Sequence, residues 1–119
     1  MSMTSEALMK EIHQIIEESV EWAIRLVGPK SDRRSPSTLS DEDKAALRRI
    51  ALNDQTEQAL RRLIAEVGRS VAFGVFSTID GVAVREGLEL PDLALVERDT
   101  GQSLSEGFLH DDFSEYTPD

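Results

Sequence analysis

The stretch Asp54–Gly81, DQTEQALRRLIAEVGRSVAFGVFSTIDG, decides the fold, because no other part of the chain is apolar for so long. It predicts one long helix, 54–80. Asp54 is the expected N-cap, with Glu57 three residues on as its capping-box partner, and Asp80-Gly81 is the expected stop, since glycine accepts the left-handed conformation of a C-cap. At 100° per residue, Leu60, Leu63, Ile64, Val67, Val71 and Val75 share one face, the expected buried one. Ala65, Gly68 and Ala72 form a second stripe of small residues that admits another backbone closely. Arg62, Glu66 and Arg69 fall on the side expected to meet water. Past Arg69 the polar side fades and VAFGVF is apolar nearly all round, so Phe73 and Phe76 require cover, either from the chain itself or from a partner. The run is shorter than the roughly 18 to 20 residues of a membrane span and is flanked by charge.

Upstream, residues 4–27 predict a first helix, with Thr4 or Ser5 as N-cap. Leu8, Ile12, Ile15, Ile16, Val20, Ala23, Leu26 and Val27 share a broad apolar face, and Gly28-Pro29 ends the helix because proline cannot continue the hydrogen-bond ladder. His13 and Trp22 sit at the rim of that face; Glu17 supplies His13 with only one i+4 companion, and the expected role of the pair is structural rather than metal-ligating. Residues 29–40, PKSDRRSPSTLS, read as a flexible loop. Its Arg33-Arg34-Ser35-Pro36 is a lone basic phosphorylation-like motif, for which a solvated linker is the ordinary reading. Ser40 is expected to cap a helix over 41–53, with Asp41, Glu42 and Asp43 at its positive end and Ala46, Leu47, Ile50 and Ala51 buried. Arg48-Arg49 and Arg61-Arg62, with Arg33 and Arg34, lack the aromatic or glycine-rich company of a nucleic-acid site.

After Gly81 the period shortens. Val82–Val84 predict a strand start and Glu86-Gly87 a turn. Leu93–Glu97 and Gln102–Ser105 read as two arms about Asp99-Thr100-Gly101, giving a β-hairpin module over 82–106 that is expected to lie across Phe73 and Phe76. The acidic segment 108–119 predicts a last helical turn with Leu109, Phe113 and Tyr116 on one side. The fold expected is therefore α+β, mainly α, in a single domain 1–119. Three helices pack around the long central one, followed by a small antiparallel hairpin and a C-terminal turn.

The net charge of −10 is uneven: residues 89–119 hold nine acids and one base, whereas residues 30–69 hold nine bases and seven acids. Such a chain repels nucleic acid at long range and attracts basic partners. There is no cysteine, which removes disulfides, thiolate metal sites and a cysteine nucleophile. With no secretory signal apparent, that composition gives a cytoplasmic expectation.

Three groupings bear on chemistry. Asp99-Thr100-Gly101 is the triplet used by aspartic proteases, yet it lacks their apolar flanking strands, and Asp and Gly are ordinary turn residues. His110-Asp111-Asp112, near Glu106 and Glu115, offers oxygen and imidazole donors without the spacing of a known metal loop. No phosphate-binding glycine loop, nucleophile elbow or His-Glu-x-x-His occurs. No catalytic residue, metal or cofactor is therefore expected.

A small, acidic, cysteine-free, motif-poor profile is shared by bacterial immunity proteins, antitoxins and phage-encoded inhibitors. The function expected is non-catalytic binding of a basic protein, such as a toxin or nuclease, through Asp99, Glu106, Asp111, Asp112 and Phe73. The alternatives are a self-associating structural or accessory subunit and, below that, a carboxylate- and histidine-dependent enzyme built on His110.

Overall fold

The computed structural model describes residues 1–31, 36–82 and 86–118. Among the described residues there are four helices: α1 (Met3–Ile24), α2 (Asp41–Arg48), α3 (Asp54–Ile79) and α4 (Leu109–Glu115). Among the described residues there is no β-strand, so the α+β expectation is corrected to an all-α fold. The arms about Asp99–Gly101 touch in a single antiparallel bridge, Val96 to Ser103. The Glu97 N–H donates to the Gln102 carbonyl at 2.9 Å and the Leu104 N–H to that of Leu95 at 3.0 Å. Leu93 and Val96 are exposed, so no packed face supports a longer ladder, and an isolated two-stranded ribbon is marginal in water. Of the predicted strand start, Ala83 and Val84 lie outside the described residues, as do Arg33, Arg34 and Ser35 of the basic loop motif.

The chain forms two compact units, one of Ile15–Gly68 and one of Met1–Gln14 with Arg69–Asp119. In the first, Ile16, Val20, Ile24 and Leu26 are buried. The side of α3 that packs here is the small one. A Cβ added at Gly68 would lie 2.9 Å from Ile16 Cγ2, so the absent side chain is what lets α1 approach. Leu63 and Val67, expected in the core, are exposed. Glycine and alanine allow a helix–helix distance that Leu and Val would hold apart.

Local chemistry fixes the ends within this unit. Ser40 Oγ accepts from the Asp43 N–H at 3.1 Å and caps α2. The α2 helix is shorter than the predicted 41–53: the Arg49 and Ile50 N–H groups turn to the carbonyls of Ala46 and Leu47, three residues back. The α3 cap is Asn53 rather than Asp54. Asn53 Oδ1 accepts from the Thr56 N–H at 2.9 Å, and Thr56 Oγ1 accepts from the Asn53 N–H at 2.8 Å, which is a reciprocal capping box. After α1, Gly28 takes φ +91° and donates its N–H to the Leu47 carbonyl at 3.0 Å. Trp22 Nε1 donates to the Pro36 carbonyl at 3.0 Å.

In the second unit Met9, Phe76, Leu109 and Phe113 are buried together with Ser5, Ser77 and Ser105. The cap of α1 is Ser2, whose Oγ accepts from the Ser5 N–H at 3.1 Å, rather than Thr4 or Ser5. The α3 helix ends as a Schellman turn: Gly81, at φ +76°, donates to the Thr78 carbonyl and Val82 to that of Ser77. Phe76 is covered by α4, not by a hairpin, with its ring 5.7 Å from that of Phe113.

Candidate functional site

The richest side-chain chemistry gathers in the second unit, where α4 meets the end of α3. Phe108, the residue before α4, has no capping side chain. The first N–H groups of α4 are instead satisfied from 30 residues away. Asp80 Oδ1 accepts from the Leu109 N–H at 3.1 Å, and Asp80 Oδ2 from the His110 N–H at 2.8 Å and from His110 Nδ1 at 2.5 Å. Asp80 therefore caps a helix remote in sequence. Burial pushes its carboxyl up, but the bonds from His110 and Leu109 outweigh this and hold it below the usual carboxylate range.

The His110 ring lies edge-on to Phe73 at 5.6 Å and is tilted against Phe108 at 5.4 Å. Its Nε2 is 3.4 Å from Asp111 Oδ1. With a carboxylate beside each ring nitrogen, this histidine clamps α4 to α3. A general base would need a nitrogen turned towards a substrate.

Asp112 forms a second clamp. Its Oδ2 accepts from Ser5 Oγ and from Ser105 Oγ, each at 2.7 Å, which joins α1, the segment before α4 and α4 itself. On the other side of α4, His13 stacks on Phe113 at 4.7 Å, nearly parallel, and on Tyr116 at 5.2 Å. The role of His13 is thus in packing.

Of the five residues expected to bind a partner, Asp99, Glu106 and Asp111 are exposed, Phe73 is 41% exposed, and Asp112 is engaged by the two serines. The Asp99-Thr100-Gly101 triplet is a turn. Thr100 Oγ1 donates to Glu97 Oε2 at 3.0 Å, and Gly101, at φ +72°, donates its N–H to the Glu97 carbonyl at 2.8 Å. Among the described residues no three His, Asp or Glu side chains are grouped to hold a metal ion.

Beside the Asp80 clamp is an open pocket of about 170 Å³. Its apolar wall includes Ile79, Leu93, Leu95, Phe108 and Leu109. The polar groups on it are committed inward: Asp80 to α4, Ser105 to Asp112, and Ser103, whose Oγ donates to the Ser105 carbonyl at 2.9 Å. His110, Asp111 and Asp112 are not among its lining residues. Sequence reasoning missed both the pocket and Asp80. The only signal for the latter was an acid at the end of α3, where the helix dipole disfavours it and some compensating donor is required.

In the other unit two of the described arginines are engaged within the chain. Arg61 pairs with Glu21 and, at 3.6 Å, with Glu57, and Arg48 Nε donates to the Lys44 carbonyl at 3.3 Å. No described helix is long and apolar enough to cross a membrane. Compared with known protein families, curated proteins and solved structures, the chain matches none.

Proposed function

We propose that this is a small acidic, non-catalytic protein-binding domain that docks on a basic partner, in the manner of an immunity, antitoxin or inhibitor protein. The observation that carries this reading is the open apolar pocket in the segment that holds most of the negative charge. Asp92 adjoins the lining residue Leu93, and Glu106 sits between the lining residues Ser105 and Gly107. Both acids are exposed, as are Asp99 and Asp111. Apolar contact in such a pocket supplies affinity, while surrounding carboxylates steer a cationic partner and select against anionic ones. A cationic toxin or nuclease suits this surface; nucleic acid, repelled by the net charge, lies outside the proposal. The cytoplasmic setting expected from the composition belongs to the same proposal.

The test is affinity capture by the wild-type chain and by a D99N/E106Q/D111N variant, at low and at high salt. Asp112 is spared because its carboxylate holds the fold. Capture of a basic protein by the wild type at low salt, lost at high salt and lost in the variant, is the expected result. Equal capture by both chains would sink the proposal.

A further inference from the structure

The short ribbon about Asp99–Gly101 has one edge with no partner. Across the bridge between Val96 and Ser103 the bonds are made by the flanking residues, from the Glu97 N–H to Gln102 and from the Leu104 N–H to Leu95. In an antiparallel pair of that pattern the N–H and carbonyl of Val96 point away from the other arm. By alternation, so do those of Ala94. Among the described residues none of these four groups is hydrogen-bonded within the chain, and both residues are exposed.

This open edge adjoins the pocket beside Asp80, since Leu93, Ala94 and Leu95 line it. Acids surround the two together. Asp92 precedes Leu93, Asp99 lies in the turn, and Glu106 sits between the lining residues Ser105 and Gly107. All three are exposed. A row of unpaired backbone groups recruits an extended chain, and the charges beside it decide which chain that is.

We propose that an extended segment of a basic partner adds to the ribbon as a third strand along Ala94–Val96, with an apolar side chain in the pocket and lysine or arginine on either side of it. This pairing rests on the acidic docking proposed above and is the form that docking takes. Backbone, shape and charge each select the occupant. Unpaired N–H and carbonyl groups are answered by a strand, whereas a helix keeps its backbone bonds internal. An open pocket of about 170 Å³ receives a side chain. A second copy of the chain would bring the same acids, because residues 89–119 hold nine acids and, in Arg98, one base; like charges set opposite each other across strands disfavour pairing. A cationic strand meets Asp92 and Glu106 favourably. It also supplies what the ribbon lacks, since three strands on an apolar surface are stable where two are marginal.

The probe is the end-capped peptide Lys-Val-Lys-Leu-Lys-Val-Lys, with versions carrying Ile or Phe at the centre, titrated into the isotope-labelled whole chain at low salt and followed by NMR. Binding should slow amide exchange at Ala94 and Val96. Two further peptides carry backbone N-methyl groups, one on its lysines and the other on its apolar residues. In an added strand only one of these alternate sets of N–H groups faces the chain. One methylated peptide should therefore bind at least about 10-fold more weakly than the other. Serine in place of the apolar residues should weaken binding by about 10-fold or more, because the pocket is left unfilled.

No binding below about 1 mM by any of the three parent peptides, equal binding of the two methylated forms, equal binding of the serine form, or protection away from Ala94 and Val96 would each overturn the proposal. The D99N/E106Q/D111N chain separates this pairing from the broader reading. Binding that falls in that variant but ignores methylation would keep the acidic docking and discard the added strand. Binding that follows methylation yet is unmoved in the variant would keep the strand and discard the acidic steering.

Discussion

The two units hold themselves together by different means. In Ile15–Gly68 the defining contact is an approach of backbones, with Ile16 resting where Gly68 has no side chain. In the other unit the defining contacts come from long polar and aromatic side chains: Asp80 capping α4, Asp112 receiving two serines, and rings stacked around Phe113. The first arrangement tolerates little added volume; the second tolerates little lost hydrogen bonding. A substitution of one kind should therefore hurt one unit and spare the other.

The largest effect expected is for Phe113→Ala, which removes a buried ring touching both Phe76 and His13 and should destabilise by about 3–5 kcal/mol in thermal or denaturant unfolding. Asp112→Ala leaves the hydroxyls of Ser5 and Ser105 without their acceptor in a buried site. We expect a loss of about 2–4 kcal/mol, with a double-mutant cycle against Ser105→Ala showing strong coupling. Should Asp112→Ala prove as mild as a surface change, the contrast between the units would collapse.

Acidity sharpens the comparison further. The Asp80 carboxyl is held below its ordinary value in the folded chain, so its stabilising contribution is fully present above the unfolded value of 3.8 and is lost as pH falls through the lower folded value. Unfolding curves across that acid range should separate wild type from Asp80→Asn, whose dependence is flatter, and parallel curves would remove Asp80 from the account.

Gly68→Ala probes the other unit. Alanine favours a helix over glycine by about 1 kcal/mol, but the 2.9 Å approach to a β-branched neighbour should offset most of that gain. The expected net change is therefore within about 1 kcal/mol of zero, and a full gain would mean that Ile16 yields freely. Smallest of all, D99N/E106Q should shift stability by less than about 0.5 kcal/mol, since both side chains are exposed.

What the sequence made legible follows physical range. Signals acting within four residues were readable in part: Ser40 as a cap, Gly81 as a stop, and Leu109 with Phe113 on the inner side of α4. The caps of α1 and α3, by contrast, fall on Ser2 and Asn53, just before the residues predicted, because neighbouring polar residues compete for the same role. Hydrophobic periodicity found α1 and α3 but misjudged which side of α3 is buried. It weights Leu63, Val67, Val71 and Val75 above Ala65, Gly68 and Ala72, whereas close helix packing selects by size. The hairpin failed because alternation and a turn sequence do not themselves provide a surface to pack on. The Asp80–His110 and Ser5–Asp112 bonds span 30 and 107 residues, and no local pattern announces a partner that far away.

The bond from Ser5 to Asp112 also fixes an order of events during synthesis. Residues 15–68 are contiguous, so that unit is fully translated while α4 is still unmade. The other unit joins residues 1–14 to residues 69–119, α4 among them. Ser5 cannot meet Asp112, nor Met9 a completed core, until the codons for α4 have been read. Closing so wide a loop carries an entropic cost that local contacts avoid, and it makes this the slower unit to assemble. A ribosome stalled before residue 109 would hold a chain whose Ser5 has no Asp112 to donate to and whose His13 has no Phe113 to stack on.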